Sequence, residues 1–89
     1  MGKVKNETDH TIYWIIDTWR CHGALEAGNT SPYDVGCCDN ITISAHNSRP
    51  PQDSPHVNTL ATSTFFFSNI LVLKKDDKNI HYWEGFESD

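Results

Sequence analysis

Residues 11–19 read Thr11-Ile12-Tyr13-Trp14-Ile15-Ile16-Asp17-Thr18-Trp19. β-branched and aromatic side chains fill this stretch, which is strand composition. Successive side chains of a strand point to opposite faces, so Ile12, Trp14, Ile16 and Thr18 share one face and Tyr13, Ile15, Asp17 and Trp19 the other. Both faces carry large apolar groups, so the pattern predicts an interior strand covered on both sides. A helix would need apolar residues three to four apart, and no segment of the chain sustains that spacing.

The same period of two recurs on either side. Ile41, Ile43 and Ala45 alternate with Thr42, Ser44 and His46, predicting a strand with an apolar inner face and a polar outer one. Ile70, Val72 and Lys74 alternate with Leu71, Leu73 and Lys75, and Asp76-Asp77-Lys78 connects this run to a further strand over residues 79–83. Lys74 and Lys75 look like charges placed to protect a sheet edge. A weaker strand is expected over residues 3–8, a turn over 28–32, and a short strand or irregular segment over 33–38. Three of the four prolines fall within residues 47–58, which therefore form a loop, since proline supplies no ladder donor. We expect that loop to be an exposed crossover between sheets. Residues 59–67 are threonine-rich and end in Phe65-Phe66-Phe67.

Six to eight short strands with turn signals between them specify an all-β chain, a small antiparallel Greek-key β-sandwich or flattened barrel, with residues 1–89 as one domain. Ile, Leu, Val and Phe total 19 of 89 residues, close to the lower edge for a globular domain, and three Trp and three Tyr add large buried areas.

The formal net charge is −5 and the seven basic residues are scattered, which argues against a nucleic-acid partner. The apolar run over residues 13–16 is far too short to span a bilayer, so no transmembrane segment is expected. Lys3 and Lys5 lead into polar residues and not into an apolar signal core. Gly2 is followed by Asn6 where myristoylation wants Ser or Thr. As it stands the sequence reads as cytoplasmic, and as secreted if Met1 replaces a leader. The sequons at Asn6, Asn29 and Asn40 matter only in the second case.

Cys21, Cys37 and Cys38 are an odd set for a disulfide framework. A bridge from Cys21 to Cys37 or Cys38 would close a loop of about 16 residues and stabilise by roughly 3 kcal/mol in the chain-entropy model. A Cys/His metal site would draw on Cys21, Cys37 or Cys38 with His22 or His46, but neighbours such as Cys37 and Cys38 diverge when they lie on a strand. No nucleophile elbow or phosphate loop is present, and a chain this short offers little concave volume, so we expect no enzyme and no cofactor.

Asp39-Asn40-Ile41-Thr42-Ile43-Ser44 resembles the calcium-binding signature of βγ-crystallin domains, and Tyr82-Trp83-Glu84-Gly85 is similar to the aromatic-x-Gly ending of that family. The resemblance implies a single β-sandwich and a calcium ion. It departs at Ile43, where the family has a hydroxyl, and at Lys78, where the earlier aromatic belongs. Read from the residues, Asp39 and Asn40 form the turn before a strand.

The aromatic residues exceed what a minimal core needs, so some face outward, where they serve recognition. The expected function is a non-catalytic binding module that recognises a protein surface, glycan or membrane headgroup through the proline-rich loop and exposed aromatics. Its ligand-binding candidates are Tyr13, Trp19, Tyr33, Arg49, His56 and Trp83. The alternatives are a self-associating structural sandwich, a homodimer through an aromatic face, and a small Cys/His or calcium site.

Overall fold

The computed structural model describes residues 2–33, 40–66 and 68–86. Among these, eight strands form: β1 (Gly2–Asn6), β2 (Ile12–Ile16), β3 (Cys21–Leu25), β4 (Thr30–Tyr33), β5 (Asn40–His46), β6 (Thr59–Phe66), β7 (Ile70–Lys75) and β8 (His81–Phe86). They make two four-stranded sheets, ordered β4-β1-β7-β8 and β3-β2-β5-β6. The chain is an all-β, single compact domain, and its two sheets stack as a sandwich and do not close into a barrel. Every pairing is antiparallel except β1 with β7.

The core lies between the sheets and follows the period of two. Ile12, Trp14 and Ile16 of β2 meet Ile41, Ile43 and Ala45 of β5 on one side, with Val4, Leu71, Leu73 and Trp83 from the other sheet. Burying each such aliphatic side chain contributes about 1.5–3 kcal/mol. As expected, β2 is interior, flanked by β3 and β5.

Four expectations are corrected. The strand predicted over residues 11–19 ends at Ile16. Asp17, Thr18 and Trp19 take φ of 50°, 54° and 74° and turn the chain into β3, so Trp19 sits on a turn. Pro32 lies inside β4 and not in a turn, a position the sheet tolerates because β4 is an edge strand. Lys74 and Lys75 guard no edge, because β7 lies between β1 and β8. They pair instead with Glu84 at 2.6 Å and Asp9 at 2.7 Å. Residues 47–58 do not cross between sheets. They connect β5 to β6 within one sheet and fold back over its outer face.

Asn6 anchors the corner between β1 and β2. Its Nδ2 donates to the carbonyls of His10 and Leu25 at 2.8 and 2.9 Å, and its Oδ1 accepts from the Thr8 backbone and hydroxyl. All four hydrogen-bonding positions of this fully buried amide are filled, so its sequon is occupied by structure. Gly28, at φ 81°, donates its N–H back to the Asn6 carbonyl at 2.7 Å, holding the start of β4 beside β1. Cys37 and Cys38 lie outside the described residues, as does Asp39 of the calcium-like stretch and with it the question of a bridge to Cys21.

Candidate functional site

The outer face of the β3-β2-β5-β6 sheet carries Tyr13 and Ile15 from β2, Ser44 and His46 from β5, and His22, whose backbone pairs with Ile15. An open sheet face would leave these groups in water. Here Ile15 is 2% exposed and His46 fully buried, because the proline-rich loop lies on them. The His46 Nδ1 donates to the Val57 carbonyl at 3.0 Å, and its Nε2 accepts from the Ser44 hydroxyl at 3.0 Å. Burial pushes the His46 pKa below its ordinary value. Beneath the loop a gap of about 40 Å³ remains, bordered by Ile15, Thr42, Pro55 and His56.

At the rim of this covered face the strained turn and the loop meet. Trp19 projects from the turn, and its Nε1 donates to the Gln52 carbonyl at 2.8 Å. The Arg49 guanidinium lies 4.9 Å from the Trp19 ring centroid and 5.8 Å from that of Tyr13. Its Nη1 donates to the Tyr13 hydroxyl at 3.0 Å and its Nη2 to the Gln52 side-chain oxygen at 3.2 Å. Because arginine can only donate, Tyr13 accepts from Arg49, and the same hydroxyl is hydrogen-bonded to His22 Nδ1 at 2.6 Å. Trp19 and His22 complete the cluster edge-to-face, with ring centroids 5.2 Å apart.

Three consecutive non-glycine residues at positive φ cost about 1–2 kcal/mol each. Contacts around the turn hold it. The Asp17 backbone N–H reaches the Thr42 carbonyl at 2.9 Å, the Asp17 carboxylate accepts the Thr42 N–H at 3.0 Å, and Arg20 pairs with Asp17 at 3.3 Å. The left-handed sense of the turn matches the twist of the strands it joins.

The arginine has no carboxylate partner among the described residues, and the two bonds above use only two of its five N–H donors. A planar cation is thus held in one orientation, stacked on an indole and exposed to solvent.

Of the six candidate residues, the fold gathers Tyr13, Trp19 and Arg49 into this cluster. Tyr33 and Trp83 are buried core residues at 4% and 7% exposure. The Tyr33 hydroxyl donates to the Ser68 carbonyl, and the Trp83 indole N–H to the Ala61 carbonyl. Burial also raises the Tyr33 pKa. His56 is exposed on the loop, beside the small gap. The sequence pointed to His22 only as a metal ligand and not as a member of this cluster, and it gave no sign of Gln52. A β2–β3 hairpin would have revealed His22, since its register sets that residue on the same face as Tyr13 and Ile15.

Of the Cys/His metal set, Cys37 and Cys38 lie outside the described residues, and the described members do not converge. Cys21 and His22 are neighbours on β3 and face opposite ways, and His46 is spent on Ser44 and Val57. The calcium-like stretch is regular strand from Asn40 onward, with Ile41 and Ile43 in the core. Among the described residues no group of three or more His, Cys, Asp or Glu is gathered to hold a metal, and no helix is long and apolar enough to cross a membrane. Comparisons with protein-family models, curated proteins and solved structures yield no match.

Proposed function

We propose that this domain is a non-catalytic binding module whose contact surface is the Arg49–Trp19–Tyr13–His22 cluster, and that its ligand is a protein surface presenting a carboxylate. The observation that carries this reading is the Arg49 guanidinium, stacked on Trp19, braced by Tyr13 and Gln52, and lacking a carboxylate partner among the described residues. Arg, Trp and Tyr are the side chains that dominate interface energetics, because each offers a large contact area or a planar fork of donors at low entropic cost. Bracing fixes the guanidinium before a ligand arrives, so less ordering is lost on binding. The net charge of −5 opposes an acidic partner at long range. At physiological salt that field decays over about 8 Å, which leaves the local cation to decide recognition.

Selection from a displayed peptide library tests the reading. Enriched sequences should carry Asp or Glu, and Arg49→Ala or Trp19→Ala should each weaken them about 30-fold, the loss expected of a hot-spot residue. Ligands whose affinity ignores both substitutions would refute the assignment. Enrichment of sialylated glycans or anionic vesicles, with peptides blank, would replace the protein partner by those sources.

A second reading is self-association through the other sheet. Tyr82 and Phe86 on β8 are 43% and 41% exposed, and Phe86 stands opposite Ile70 in the pairing register. Sedimentation at micromolar concentration decides it, since a monomer mass removes this reading.

A further inference from the structure

At the end of the sandwich opposite the β8 C-terminus, two histidines from distant parts of the chain meet. His10 lies in the connection from β1 to β2, and His81 opens β8. Their Nε2 atoms are 3.0 Å apart, and the rings stand nearly perpendicular with centroids 5.2 Å apart. The other ring nitrogen of His10, Nδ1, is 3.1 Å from the Thr11 carbonyl. A carbonyl only accepts, so Nδ1 carries the hydrogen and the Nε2 lone pair of His10 points at His81. This orientation, one ring nitrogen bound to a backbone carbonyl and the other presented outward, is the support that metal-ligating histidines receive.

We propose that His10 and His81 form a two-histidine site for a divalent transition-metal ion, zinc foremost, bound by both Nε2 atoms with water in the remaining positions. Two imidazoles on one tetrahedral zinc, at Zn–N distances of about 2.05 Å, place their Nε2 atoms about 3.3 Å apart and their centroids about 5.2 Å apart. The centroid separation already matches, and a small tilt opens the Nε2 pair by about 0.3 Å. The metal replaces the hydrogen bond between the rings. The proton on His81 Nε2 moves to its Nδ1, so both rings stay neutral and no net proton is lost.

The charges nearby are mixed: Lys75, held by Asp9 at 2.7 Å, repels a cation at His81, and the Asp9 and Asp76 carboxylates act more weakly in the other direction. Burial, with smaller contributions from His10 and Lys75, holds the His81 pKa below its ordinary value. Reading the sequence for metal ligands looked for close spacing, and these two residues are 71 positions apart.

Calorimetric titration of the chelator-treated protein with zinc chloride and with nickel chloride tests the site. One equivalent should bind, His10→Ala and His81→Gln should each weaken binding at least about tenfold, and His56→Ala should leave it unchanged. His81→Gln keeps a side chain able to hydrogen-bond His10, so loss of metal in that variant separates ligation from local packing. Nickel below one equivalent should broaden the His10 and His81 ring resonances first. Binding that persists in both variants, that follows the cysteines instead, or that is absent at millimolar metal would overturn the proposal.

Discussion

Trp19 joins local backbone strain to the proposed contact surface. Its φ of 74° lies where side-chain-bearing residues rarely go, and Asp17 and Thr18 before it share that region. Such strain persists when surrounding contacts over-determine it, and it concentrates where a side chain must be aimed. Thr18 is the exposed member and makes none of the hydrogen bonds described for the turn. Thr18→Gly should therefore raise stability by about 1 kcal/mol in urea unfolding, with the Trp19 cluster intact. An unchanged or lowered midpoint would mean that the turn is not strained. Asn6 behaves oppositely, since its amide satisfies buried backbone groups that water cannot reach. Asn6→Ala should cost about 2–4 kcal/mol by orphaning the Leu25 carbonyl and the Thr8 N–H, measured as the shift in unfolding free energy.

At the scale of elements, the proline-rich connection between β5 and β6 turns an ordinary sheet face into a second covered layer. His46 reports on that cover. Its folded pKa is lowered, so the unfolded chain binds the proton more readily. Its contribution is full above the unfolded value of 6.5 and is lost as pH falls through 6.5 toward the folded value. His56 on the same loop adds repulsion, and Ser44 and the Val57 carbonyl are its direct neighbours. Urea midpoints should drop from pH 8 to pH 5, and His46→Gln should flatten that drop. The alternating apolar residues of β2, β5 and β7 were legible because the period of two survives in single-letter form. The turn after Ile16 was not, since Asp17-Thr18-Trp19 contains no glycine, asparagine or proline to mark it. Without that turn Trp19 reads as strand and His22 has no register. Arg49 was legible as a loop cation, but its seat on Trp19 depends on the loop folding back, which proline content alone does not dictate.

For the molecule as a whole, the aromatic residues fall into two sets. Tyr33 and Trp83 give their areas to the shared core, while Tyr13 and Trp19 gather with Arg49 at the rim of the outer face beside the loop. The central claim is that this rim is the contact surface. Isotope-labelled protein titrated with a selected acidic peptide, followed by amide and side-chain chemical shifts, tests it most directly. The account predicts that the largest shifts fall on the Trp19 indole N–H, the Arg49 guanidinium and the residues 47–52 and 17–22. Shifts confined to Tyr82, Phe86 and the outer face of the β4-β1-β7-β8 sheet would contradict it.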